Sequence, residues 1–231
     1  MLDAVPLNQG HLDKTDIARY REDGYLRPIP VIPAKEASQL RAELEELEDT
    51  WLAADLPHPL NTYKRVISHC VIPMAHRVAA DPRVLDVIEG ILGPDILIWS
   101  VEFLPHEDTY DKDNLLSRGQ EIKVDVAPED RVPAELQPGE MSLHHGLMIH
   151  GSGPNVTDDR RIAVAIRYCT PQIAQQVASK DYAILARGAD RTGNFINFAP
   201  PSAPYTPASH ALYEEIRIAQ TEALKAGAEA D

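Results

Sequence analysis

Up to about Gly93 the apolar positions recur at three- and four-residue spacing, and beyond it they fall into short runs and alternations. The first pattern predicts helices and the second strands. A short helix runs through TDIARYRED, with Thr15 as its cap and Gly24 as its stop. After the extended, proline-bearing YLRPIPVIP, a second helix is predicted over 34–51. Its Ala37, Leu40, Leu44 and Leu47 form the inner stripe, while Glu43, Glu45 and Glu46 face water. A third segment lies near 74–80. A fourth, PRVLDVIEGILGP, carries Leu85, Ile88, Ile91 and Leu92 on one side and ends at Gly93–Pro94. The strand-like runs are ILIWSVEF, EIKVDV, VPAEL, MSLHH, GLMIH and RIAVAIRY, parted by turn signals at Pro138–Gly139 and Gly151–Asn155. Past Pro171 the pattern is mixed until a last helix around 210–224, followed by a tail, KAGAEAD, expected to fray. Helices followed by strands make the class α+β, a helical layer flanking an antiparallel sandwich or jelly roll.

The chain has 231 residues, which suits one domain: 1–94 a mainly helical layer, 95–171 the β core, 172–231 a C-terminal extension. No apolar stretch is long enough for a membrane span, and the N-terminus lacks the basic and apolar regions of a signal peptide. A cytoplasmic location is expected. The net charge of −14 repels phosphate backbones and anionic lipid, so nucleic acid and membrane are excluded as expected partners. A small anionic ligand would need a locally placed Arg or Lys. Cys70 and Cys169, the two cysteines, read as reduced core thiols rather than a disulfide framework or a metal site.

Chemistry concentrates in GEMSLHHGLMIHGSGPNVTDDRRIAVAIRY, residues 139–168. Here His150 closes one predicted strand, a glycine-rich turn follows, and Arg161 opens the next. A neutral imidazole ligates metals. A guanidinium grips a carboxylate with two parallel hydrogen bonds. Metal ligand and carboxylate clamp side by side suit an oxo-acid chelated to iron. The plainer alternative makes His150 a turn residue and pairs Arg161 with Asp158 or Asp159. His144 and His145 are adjacent on a strand, so at most one can face His150, and packing roles are expected for them.

The run His150-Gly151-Ser152-Gly153-x-Asn155, with an Arg eleven positions after the His, resembles the distal-histidine motif of the phytanoyl-CoA dioxygenase family. YREDGYL, DPRVLDVIEGILGPDILIWSVEF, DNLLSRGQEI and DYAILARGADRTGNF resemble further family segments in family order. The resemblance implies a double-stranded β-helix, Fe(II) held by two histidines and a carboxylate, and 2-oxoglutarate as cosubstrate. It makes His150 the distal iron ligand and Arg161, assisted by Ser152, the clamp for the far carboxylate of 2-oxoglutarate.

The remaining two ligands are ordinarily His-x-Asp, since residues i and i+2 of a strand share a face. His106-Glu107-Asp108 fits that spacing. In relatives, however, further strands follow the one like ILIWSVEF before the ligand pair, and here the two ends abut as though an internal block were missing. Six strands are countable where a jelly roll needs eight. Two readings therefore stand: His106 and Asp108 hold the metal in a shortened barrel, or they form a solvated acidic loop. Unpaired sheet edges are either covered, by helices or by a second copy of the chain, or leave the chain unstable. The leading function is an Fe(II)- and 2-oxoglutarate-dependent dioxygenase hydroxylating a small organic substrate. The alternatives are an inactive family remnant that binds a ligand or partner, and a cupin-like metal protein using His144 or His145 with His150.

Overall fold

The computed structural model describes residues 4–106, 126–151, 155–178 and 181–229. Helix α1 spans Lys14–Asp23 and is capped by the Asp13 carboxylate, which accepts from the Asp16 amide. Thr15, expected in that role, lies two residues further on, at the second position of the helix. Gly24 ends the helix in the left-handed conformation (φ 77°), which costs a residue without Cβ little. Strand β1 (Tyr25–Pro30) follows, then α2 (Ala34–Trp51) with the predicted bounds. Leu44 of α2 is buried, and Leu40 and Leu47 pack beside it. Helix α3 (Leu60–Arg65) and a 3-10 turn at Ser68–Cys70 have no periodic stretch long enough to predict. Helices α4 (Pro73–Ala79) and α5 (Pro82–Leu92) complete the N-terminal layer.

Strand β2 (Ile96–His106) is the organising element. It pairs antiparallel with β4 (Arg161–Cys169) along its length, from Leu97 opposite Cys169 to His106 opposite Arg161. On its other edge it pairs with β5 (Tyr182–Arg187), which in turn takes the two-residue β6 (Ile196–Asn197), so the order is β4-β2-β5-β6. A second, two-stranded sheet joins β1 to β3 (Glu140–His144). The long helix α6 (Pro207–Glu229) closes the chain and continues through most of the tail expected to fray. Among the described residues no helix is long and apolar enough to cross a membrane.

Helices and sheets are thus mixed as α+β implies, but the strand inventory differs. VPAEL is not a strand: Pro133 lies within it and Pro138 two residues beyond it, and Val132 and Leu136 are exposed, so no apolar face holds it to a sheet. GLMIH is a turn and loop. The Met148 amide closes the turn onto the His145 carbonyl, and Leu147 and Ile149 point to solvent. EIKVDV falls almost wholly outside the described residues. Conversely, β1 lies in the segment assigned to the helical layer and β5 in the assigned C-terminal extension, and both are sheet members. Cys70 is buried and Cys169 half-buried, both free thiols.

The β2–β4 ladder has two chemically distinct faces because side chains alternate along each strand. Ile98, Val101 and Phe103 of β2, with Ile162, Val164, Ile166 and Tyr168 of β4, pack into the main core against Tyr63, Ile72, Tyr205 and Tyr213. An irregularity between Ile98 and Ser100 accommodates Trp99 as an extra residue, so Ser100 and Leu97 share the opposite face.

Candidate functional site

That opposite face carries Ser100, Glu102 and Leu104 on β2, and Arg161, Ala163, Ala165 and Arg167 on β4. Its floor is apolar: Leu97, Ala183 and Phe195 are buried, with Trp99 and Cys169 packed against them. Above the floor, Ser100 donates to the Glu102 carboxylate at 3.3 Å, and Arg167 pairs with the same carboxylate diagonally across the ladder. Glu102 is buried among these partners, which supply the counter-charge and hydrogen bonds that a buried carboxylate requires. Two alanines follow, then Arg161 at the open end, with the backbone of His106 as its register partner. The face thus grades from apolar floor to ion pair to cationic rim. The sequence reading missed Glu102 and Arg167. Their signal was present in the polar Ser100 and Glu102 at i and i+2 inside an otherwise apolar strand.

His150 lies in the loop after β3, not at the end of a strand. Its Nδ1 is 2.8 Å from the Met148 carbonyl oxygen. A carbonyl only accepts, so Nδ1 donates, and in the neutral ring this leaves the lone pair on Nε2, the tautomer that metal-binding histidines adopt. The His144 ring, at the end of β3, sits 5.4 Å from that of His150 between centroids. His144 also hydrogen-bonds Ser142 through Nε2 at 2.8 Å. Burial, and secondarily the His150 charge, lowers the pKa of His144 below the ordinary histidine value. His145 is turned into the backbone, its Nδ1 accepting from the Leu147 amide at 3.2 Å. One of the two adjacent histidines therefore meets His150 and the other does not.

The approach to Arg161 is folded by the segment's own polar residues. Asn155 donates to the Asp159 carbonyl at 2.7 Å and accepts from the Thr157 amide at 3.2 Å, closing a tight turn. Asp159 is gripped by both terminal nitrogens of Arg41 in α2, at 2.6 Å each. That pairing holds the Asp159 carboxyl below its ordinary pKa. Asp159 thus takes a guanidinium from α2. Next in sequence, Arg160 forks onto Glu48 of α2 at 2.7 and 2.9 Å, and Glu48 also binds Lys64 of α3. Burial opposes ionisation of Glu48, but these two cations more than offset it and its pKa falls.

Ser152, Glu107 and Asp108 lie outside the described residues, as does the DNLLSRGQEI segment. His106 is placed as the last residue of β2. Among the described residues no group of three His, Cys, Asp or Glu side chains is clustered for a metal. The structure thus brings His106 and Arg161 together in register, and His144 together with His150.

This architecture is that of known non-heme oxygenases. A structure of the non-heme monooxygenase ThoJ without metal superposes with a TM-score of 0.78 at 26% identity, over 92% of this chain and 99% of that one. The ThoJ–Ni complex gives 0.73 at 25% identity, over 90% and 98%. CytC3 with Fe(II) and alpha-ketoglutarate shares the fold at 18% identity, with a TM-score of 0.58 over 80% and 92%. Residues 99–163 match the phytanoyl-CoA dioxygenase (PhyH) family model, a segment that holds most of β2, all of β3, His150 and Arg161, and so the motif on which the resemblance rests. No curated protein matches the sequence. The near-complete span of ThoJ also bears on the suspected missing block: no large part of that oxygenase lies outside the match.

Proposed function

We propose that the chain is an Fe(II)- and 2-oxoglutarate-dependent oxygenase acting on a small organic substrate, its two sheets forming a double-stranded β-helix core. The observation that carries this reading is the polar face of the β2–β4 ladder, with Arg161 and His106 as register partners at its open end. The imidazole chemistry fits a metal: His150 has Nδ1 committed to a carbonyl and Nε2 free. His150 would hold iron through Nε2, and His106 and Asp108 would complete two histidines and a carboxylate. Bound iron and 2-oxoglutarate would supply O₂ activation for oxidising a C–H bond, with succinate and CO₂ as coproducts. Arg161, with Ser152, would take the far carboxylate of 2-oxoglutarate through two charge-assisted hydrogen bonds. The Met148 carbonyl keeps the His150 ring in one orientation and one tautomer. The apolar floor around Phe195 limits water at the inner end of the face.

One observation favours a second reading, a cupin-like centre that uses His144 with His150. Two imidazoles sharing one metal at about 2.0–2.1 Å per bond bring their ring centroids to roughly 5 Å, close to the 5.4 Å seen. In that case Arg161 is dispensable.

The test is turnover under air with Fe(II), ascorbate and 2-oxoglutarate. Succinate above the no-protein level is expected, and Arg161→Ala should raise the apparent KM for 2-oxoglutarate sharply. Unchanged kinetics in that variant, with activity lost in His144→Ala, would favour the cupin-like centre. A folded protein with no succinate and no anaerobic Fe(II)–oxoacid absorption band would mark a ligand-binding remnant instead.

A further inference from the structure

Arg160 and Arg161 are adjacent and chemically identical, yet strand alternation sends them to opposite sides of the sheet. A slip of one residue would exchange their positions and turn β4 inside out. The structure contains a device that decides between them. Glu48, on the helical side, takes both terminal nitrogens of Arg160, and Arg41, two turns earlier on the same face of α2, takes both oxygens of Asp159. The two pairs have opposite polarity: α2 presents a cation to residue 159 and an anion to residue 160. A slip that put Arg161 on Glu48 would also set Arg160 against Arg41, and the opposite slip would set Asp159 against Glu48, so either shift exchanges one of the two attractive pairs for a repulsive one. Asn155 removes the remaining slack by closing the turn immediately upstream. Bidentate guanidinium–carboxylate pairs fix orientation as well as distance.

We propose that Arg41 and Glu48 of α2 are positioning residues for Arg161, setting the register of β4 so that Arg161 and not Arg160 is presented to the carboxylate of the ligand. This rests on Arg161 being the 2-oxoglutarate clamp. The Arg41–Asp159 pair is the better one to perturb, because it lies at the surface and its loss spares the core.

Anaerobic titration of the Fe(II)-loaded protein with 2-oxoglutarate, followed by the visible chelate band, reads binding without turnover. Arg41→Asp and Asp159→Arg should each weaken 2-oxoglutarate about tenfold, while Fe(II) affinity measured without 2-oxoglutarate stays the same. Combining them restores opposite charges with reversed polarity and should recover affinity to within about threefold, a rescue that general destabilisation would not produce. Glu48→Gln should weaken the ligand in the same direction, read on the folded fraction confirmed by circular dichroism. Wild-type affinity in both single charge reversals, beside lost binding in Arg161→Ala, overturns the positioning role and leaves the clamp standing. Wild-type affinity in Arg161→Ala, or no chelate band in the wild type, overturns the clamp and the positioning role together.

Discussion

The two faces of the β2–β4 ladder are built from the same backbone and differ in almost every other respect. On the helical side, Val101 and Phe103 face Ile166 and Val164 with no polar atom between them, and the ladder continues into the largest core cluster. On the other side, directly opposed positions pair Ser100 with Arg167, Glu102 with Ala165, Leu104 with Ala163 and His106 with Arg161. The first face is filled by volume. The second sets Ala165 opposite Glu102 and Ala163 opposite Leu104, small side chains between the charged groups of Arg167, Glu102 and Arg161. A surface that served only to stabilise the sheet would have no reason to combine a buried carboxylate, small residues and a terminal guanidinium. The contrast separates the face that packs the core from the face proposed to bind a ligand.

The largest effects should fall on the packed face. Phe103 is buried, and Phe103→Ala leaves a cavity where relaxation is limited by the helices behind it; a loss of about 3–5 kcal/mol is expected. Urea unfolding followed by circular dichroism measures it, and a loss below about 1 kcal/mol would mean that this face is not the core.

The packed side also contains one buried base. His69 sits in the 3-10 turn beneath β2, against the Phe198 ring at 5.6 Å, and among the described residues neither ring nitrogen has a hydrogen-bond partner. Burial, and then the nearby His76 charge, pushes its pKa down to about 3. The folded value is depressed, so the unfolded chain takes up this proton first as pH falls below its ordinary value of about 6.5. Stability from this group is therefore complete above about 6.5 and is lost towards 3, with a slope of up to about 1.4 kcal/mol per pH unit. The neighbouring Ser68 hydroxyl is committed to the Val101 carbonyl at 2.6 Å, which ties the turn to β2. Unfolding free energies of wild type and His69→Leu between pH 4 and 7 should converge or cross towards acid, because the leucine variant lacks this slope. Parallel curves would show that His69 is solvated or protonated in the fold.

Much of the packed side was legible in the sequence, because burial writes itself as periodicity. The stripe through Leu40, Leu44 and Leu47 and the run ILIWSVEF specify their elements almost alone. Elements shorter than one period were not legible: α3 has six residues, and β6 only two. The false strand GLMIH shows the converse, since alternating apolar residues predict a strand only where a sheet exists to bury them, and Leu147 is 87% exposed. The open face was read through His150 and Arg161, whose motif is local. Glu102–Arg167 and Arg41–Asp159 join residues 65 and 118 positions apart, and no spacing rule connects them. Arg161 was read from its spacing to His150, whereas the partner that holds Arg160, Glu48, lies in a distant helix that no local motif reaches.

On the open face the expected effects move from stability to binding. Arg161→Ala removes an exposed side chain and should change unfolding free energy by less than about 1 kcal/mol. Loss of a bidentate, charge-assisted contact of about 1.5–3 kcal/mol should weaken 2-oxoglutarate roughly 10- to 150-fold. Calorimetric titration of the Fe(II)-loaded protein against a thermal melt of the same sample separates the two quantities. A large stability loss with unchanged binding would reverse the assignment of the faces.

The smallest effect gives the finest discrimination. Ala163 lies two residues from Arg161 on the same strand, exposed and facing Leu104, while Val164 between Ala163 and the next face residue, Ala165, packs opposite Phe103. A glutamate at 163 would stand within reach of the Arg161 guanidinium and offer it a carboxylate from the protein itself. Ala163→Glu should therefore melt within a few degrees of the wild type yet bind 2-oxoglutarate several-fold more weakly, with the deficit shrinking at high salt as the internal pair is screened. The same residue placed one position along, Val164→Glu, would push a charge into the apolar face and should cost at least about 2 kcal/mol of stability. One chemical change at two neighbouring positions thus reads as lost affinity on one face and lost folding on the other. If both variants simply unfolded, the open face would be core after all, and Arg161 would have no ligand to hold.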